Sequence, residues 1–182
     1  MTLLILGLAL WIGAHLFRRL APGPHAALGE MPGKLLVSFV VIVALVLMVT
    51  GFRSAGFIEI WSPPAFLTHI NNLMMLIAVF LLGLGSSRGV LRTRIRHPML
   101  TAVKTWAVAH LLVNGDLASV VLFGGLLAWA VVQLIVINRQ EPVWNRPAAG
   151  PLRNDLIYAV VALGAFAVIT VIHNWLGVSP FG

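Results

Sequence analysis

The chain contains no cysteine, so it can form no disulfide, thiolate metal ligand or cysteine nucleophile. It has one tyrosine and five acidic residues, and only 9% of its 182 residues are charged. Soluble domains carry roughly a quarter charged residues, so this shortage excludes most folds that stand in water. No carboxylate lies well inside an apolar run, and a carboxylate-rich di-metal centre is not expected. No basic stretch precedes the first apolar run: Thr2 to Phe17 comes first, and Arg18 and Arg19 follow. That order reverses a cleavable export signal, and the segment reads as an uncleaved first span.

What is present is largely apolar, with 60% of residues hydrophobic. Six apolar runs stand out, near 2–18, 34–52, 64–85, 98–114, 117–137 and 155–176. Each approaches the roughly 20 residues needed to cross a bilayer as a helix. Lipid offers no partner to backbone N–H and C=O groups, so helix is the expected state. The fold class is therefore all-α: an integral membrane bundle of about six transmembrane helices, forming a single domain over residues 1–182. Pro22, Pro24 and Pro32 break the first connection, while Pro63, Pro64 and Pro98 open the third and fourth spans, where a missing N–H costs little. Gly7, Ala9 and Gly13 in the first span, and Gly124 and Gly125 in the fifth, read as positions of close helix approach.

The net charge of +7 invites a nucleic-acid reading, but the basic residues sit in short connections. Arg18, Arg19, Lys34, Arg88, Arg92, Arg94, Arg96, Arg139, Arg146 and Arg153 fall on one side of the bundle; Arg53 alone falls on the other, with Lys104 inside a span. Short basic loops mark the cytoplasmic face. Both termini are therefore expected outside the cytoplasm, with membrane lipid as the partner and no nucleic acid.

A plain anchor would be apolar throughout, yet His15, His69, His110 and His173 lie in or near spans, as do Lys104, Asn71, Asn72 and Asn114. Ionisable groups at membrane depth are costly and usually face the bundle interior. Each histidine alone is explained by one helix–helix hydrogen bond; four together favour a site. Neutral imidazoles bind haem iron or a transition metal. His110 and Asn114, four residues apart, share one helix face. Arg94, Arg96, His97 and Lys104 form a cationic cluster, read either as topology with snorkelling or as a site for a haem propionate or phosphate. By depth alone, His69 and His173 lie level with His110, and His15 lies nearer the arginine-rich face.

Several motifs, in order, resemble the NnrU family: Gly13-Ala14-His15, Trp61-Ser62-Pro63-Pro64, His69, Arg96-His97-Pro98-Met99, Lys104, Trp106, Ala109-His110-Leu111-Leu112, Asn114-Gly115-Asp116-Leu117-Ala118-Ser119 and Leu122-Phe123-Gly124-Gly125. The resemblance covers about residues 3–137, and residues 138–182 match nothing recognisable. NnrU proteins are bacterial inner-membrane proteins associated with denitrification, in nitrite and nitric oxide metabolism. The family is similar to plant 15-cis-zeta-carotene isomerase, a membrane enzyme that uses haem b. The resemblance implies haem b held between spans one and four by His15 and His110. His69 is a second-choice ligand, and Arg96, His97, Lys104 and Asn114 complete the surroundings. It also implies inner-membrane residence, with either isomerase-like chemistry on a hydrophobic small molecule or an accessory or transport role in denitrification. One departure matters: the plant enzyme's redox-active cysteine position is Ala107 here, and alanine cannot ligate iron. A weaker resemblance is to membrane methyltransferases, which carry Arg-His-Pro followed by an aromatic, where this chain has Arg96-His97-Pro98-Met99. The acidic pair and tyrosines that accompany it there are missing.

Overall fold

The structure, a computed structural model, describes residues 1–181 and is helical throughout. Helix α1 spans Thr2–Leu20, α2 Pro22–Ala27, α3 Glu30–Arg53, α4 Leu67–Leu84, α5 Pro98–Val113, α6 Leu117–Gln140 and α7 Leu152–Trp175. Among the described residues there is no strand, only an isolated bridge between Glu59 and Asp116.

Five helices are long and apolar enough to cross a membrane, and α5 is a sixth, shorter apolar helix. The 16 residues of α5 extend about 24 Å, somewhat less than a hydrocarbon core of about 30 Å. The six apolar runs of the sequence are thus six helices. The largest boundary shifts are of three or four residues: α3 starts at Glu30, α4 at Leu67 and α7 at Leu152, and α6 runs on to Gln140. The prolines of the first connection do not leave it irregular. Pro22 stands at the first position of the short helix α2, where its fixed φ favours helix.

Consecutive spans run antiparallel. α1 lies along α3, α4 along α5, and α6 packs against α1, α3 and α5, whereas α7 rests mainly on α4. The largest buried cluster joins Leu4, Leu8, Met48, Ala118, Leu126, Trp129 and Ala130. Much of the outer surface is large and apolar, including Phe39 and Ile42 of α3 and Val160, Val161 and Val171 of α7. In a bilayer such faces contact lipid. Of the small residues expected at helix contacts, Gly7 abuts the α3 backbone and Gly125 receives the Leu8 side chain, but Gly13 and Gly124 meet nothing within 4 Å. Those two face outward and are not packing positions.

Both termini and the connections 54–66 and 114–116 gather at one end of the bundle; the arginine-rich connections gather at the other. At the terminal end, the turn between α5 and α6 docks on an extended stretch. The N–H groups of Ile60 and Trp61 donate to the Gly115 carbonyl at 2.7 and 3.1 Å, and the Leu117 N–H donates to the Ile58 carbonyl at 2.8 Å. Asp116 then caps α6, accepting from the Ser119 N–H at 3.0 Å and the Ser119 hydroxyl at 2.5 Å. Burial pushes the Asp116 carboxyl up, but the Ser119 hydroxyl and the amides of Ser119 and Ala118 outweigh it and hold the carboxyl below its ordinary value. The folded value lies under the unfolded one, so the cap's contribution is present at neutral pH and lost as pH falls through the folded value. Asp116→Ala is expected to cost about 1 kcal/mol. Unfolding midpoints at neutral and acidic pH check this, since the difference between the two proteins should shrink in acid.

Candidate functional site

The polar side chains of the spans collect in separate cavities at the two ends. At the terminal end a cavity of about 250 Å³ opens between α4, α5 and α7, lined by Asn71, Asn72, His110, Asn114 and His173, with Ser179 and Pro180 of the tail across its mouth. The His110 ring stacks on Phe123 at 4.4 Å between centroids and 7° between planes, with the Trp106 ring edge-on at 5.2 Å. Asn114 donates to the His110 carbonyl at 2.8 Å, and its amide nitrogen lies 3.5 Å from His110 Nδ1. On α7, His173 Nδ1 lies 2.8 Å from the Ile169 carbonyl. Asn71, 6% exposed, donates to Asn72 at 3.2 Å, but its own Oδ1 is buried without a partner.

At the arginine-rich end a larger cavity, about 730 Å³, lies under α2 between α1 and α3, lined by His15, Arg18, His25, Lys34 and Ser38. His15 Nδ1 lies 2.8 Å from the Trp11 carbonyl. Its ring is wedged between Trp11 and Trp129, at 4.3 and 4.8 Å. The indole N–H groups of both tryptophans are buried without acceptors. Lys34 is paired with Glu30 at 2.7 Å. His15 and Arg18 also border an adjoining cavity with Arg19 and Glu141, which form an ion pair at 3.0 Å.

The expected site residues are therefore divided. His110 and Asn114 are together. His15 and His110 are not: they line different cavities and pack on α6 at Trp129 and Phe123, about 9 Å apart along its axis. The two imidazoles border no common cavity. His69 is exposed on α4, because a helix turns about 200° between it and Asn71. Arg96 donates to the carbonyls of Glu141 and Pro142, and His97 bonds the Asn138 side chain at 2.9 Å. Both side chains thus anchor the α4–α5 connection to the end of α6, bordering only a shallow recess there. Lys104 lies half-buried further along α5. The residues that join the sites without having been singled out as ligands are His25, Asn71 and His173. The last two were visible as polar residues in spans, but not the face each occupies.

The His15 cavity can be tested against the haem that the resemblance implies. Cofactor pockets enclose about 300–1,000 Å³, and this cavity falls in that range. A backbone carbonyl on Nδ1 leaves Nε2 free for a metal, the usual arrangement of a ligating histidine. A second imidazole and the cation Arg18 line the same space, together with the Lys34–Glu30 ion pair, and two orphaned N–H donors lie beside it. This donor set fits haem. The ring nitrogens of His110 are not fixed in the same way, and its cavity holds no cation.

No similar chain was found among curated proteins or solved structures. A family model described as NnrU protein matches residues 3–180. The match runs well past residue 137, where the resemblance was expected to stop, and takes in α7 and the tail that borders the His110 cavity. The bundle, its two histidine cavities and the tail all lie inside that span, and the chain belongs to the NnrU family.

Proposed function

We propose that this NnrU-family protein holds haem b at the arginine-rich end of its bundle, with His15 as an iron ligand, and serves nitrite or nitric oxide metabolism through it. The observation that carries this reading is the His15 imidazole, tied through Nδ1 to its own helix and bordering a cavity of haem size with a second imidazole and the cation Arg18. Bound haem supplies one-electron redox chemistry and a coordination site for small ligands. The chain's own residues do the rest. The Trp11 carbonyl fixes the orientation of His15, and the rings of Trp11 and Trp129 hold it in place. Arg18 would offset propionate charge, Lys34 being already paired with Glu30, and α2 covers the cavity from the aqueous side. The distribution of basic loops supports the arginine-rich end as the cytoplasmic one, in keeping with residence in a bacterial inner membrane with periplasmic termini.

The absence of a thiol at Ala107 removes the ligand exchange of the plant isomerase, so the reading is haem binding without that switch. A polar transport path is disfavoured: between the terminal-end cavity and the recess at Arg96 and His97 the connecting space is an apolar slot lined by Ala78, Leu82, Ala102, Val103 and Trp106. Protein purified from haem-replete cells is expected to show a Soret band and visible bands that sharpen on reduction. A colourless preparation overturns the reading.

A further inference from the structure

The His110 cavity does not end at its polar wall. An apolar slot of about 260 Å³ continues from it between α4, α5 and α7, lined by Ala78, Leu82, Ala102, Val103 and Trp106, and shares Met75, Ile169 and His173 with the chamber above. Each volume alone falls short of the about 300–1,000 Å³ of small-molecule sites, and the two together fall within it. Leu82 lies about 17 Å further along α4 than Asn71, so the joined space is long and narrow. One end is polar and the other is hydrocarbon.

Charge narrows the occupant. No Lys, Arg, Asp or Glu lines either part. A phosphate or carboxylate head would lose its hydration and meet no cation, at a cost of several kcal/mol. A wholly apolar ligand would leave the buried, unpartnered Asn71 Oδ1 unsatisfied.

Hydrogen-bond polarity narrows it further. The Ile169 carbonyl can only accept, so the hydrogen of the neutral His173 ring sits on Nδ1, and Nε2 is left as an acceptor. Asn71 Oδ1 is also an acceptor, its amide nitrogen being engaged with Asn72. The Thr68 and Thr170 hydroxyls at the chamber can give or take a hydrogen bond, but the buried Asn71 Oδ1 can only accept, so an uncharged head that satisfies it must donate.

We infer that the joined chamber and slot bind a long-chain amphiphile from the bilayer through an uncharged hydroxyl head, with Asn71 Oδ1 accepting its one hydrogen and the chain running past Trp106. The site is separate from the haem cavity and stands without it. Such a hydroxyl belongs either to an alkanol-type lipid or to a prenylated hydroquinone.

The test uses the full chain in lipid nanodiscs and three probes sharing one long alkyl chain brominated at its far end: the alcohol, its methyl ether and the carboxylate. Bromine in the slot quenches Trp106. The alcohol is expected to quench saturably, with the ether and the carboxylate at least about tenfold weaker, the loss of one good hydrogen bond. Trp106→Phe should abolish the saturable component, and Asn71→Leu should weaken the alcohol about tenfold while leaving the ether unchanged. Competition by a prenylated hydroquinone, or its failure to compete, assigns the hydroxyl to the phenolic or the alkanol source. Equal quenching by alcohol and ether, quenching that tracks bilayer partitioning without saturation, or full quenching in Trp106→Phe overturns the inference. The first two need no variant to fold, and none depends on haem content.

Discussion

Gly51→Val is expected to destabilise the bundle by about 3 kcal/mol or more, the upper range for overpacking a close contact. α1 and α3 meet here backbone to backbone. A Cβ on Gly51 would fall 2.3 Å from the Leu4 nitrogen and 2.8 Å from the carbonyl carbon of Leu3. No rotamer change clears main-chain atoms, so the helices must part. Leu4 is fully buried at this point and belongs to the largest core cluster, and separation would also loosen Leu8 and Met48. The control is Gly124→Ala, which has open space around its Cβ and should be neutral or stabilise by up to about 1 kcal/mol through helix propensity. Unfolding midpoints in mixed detergent micelles compare the two. Equal midpoints for Gly51→Val and wild type would show that the helices do not approach this closely.

Asp155→Ala should have a similar effect at the other end. Asp155 is 3% exposed, and its carboxylate accepts from the backbone N–H groups of Val90 and Leu91 at 2.7 and 3.2 Å. The neighbouring Asn154 side chain donates to the Arg88 carbonyl at 2.9 Å. α7 has few other contacts, resting mainly on α4, so this clasp holds it to the α4–α5 connection. Hydrogen bonds to a charged group contribute about 1.5–3 kcal/mol each, and alanine also strands two amides. A loss of about 3 kcal/mol or more is expected, with faster proteolysis within residues 86–97. Asp155→Asn keeps one acceptor oxygen and should fall between.

Span positions were readable because hydropathy is local: a run of apolar residues states its own length and depth. Rotation about the axis was not. His69, Asn71 and Asn72 lie within four positions on α4, yet His69 points out and the asparagines point into the cavity. No polar stripe marks the inward face, because lipid and core are both apolar. The pairing of His15 with His110 came from the family resemblance, and helix rotation is what sets the two beside different cavities. The cationic cluster misled for another reason. Arg96 and His97 do sit at the arginine-rich end, but their partners, the Glu141 carbonyl and Asn138, lie some forty residues on. A still longer separation, 64 and 65 residues, hid Asp155, whose partners are two backbone amides that carry no mark in the sequence.

The most direct measurement of the haem reading is the optical spectrum, oxidised and reduced, of three proteins purified alike after haem-replete expression: wild type, His15→Ala and His110→Ala. The account predicts a Soret band in wild type, its loss or a marked shift in His15→Ala, and a spectrum unchanged from wild type in His110→Ala. Full haem with unaltered bands in His15→Ala, or loss of haem in His110→Ala alone, would contradict it.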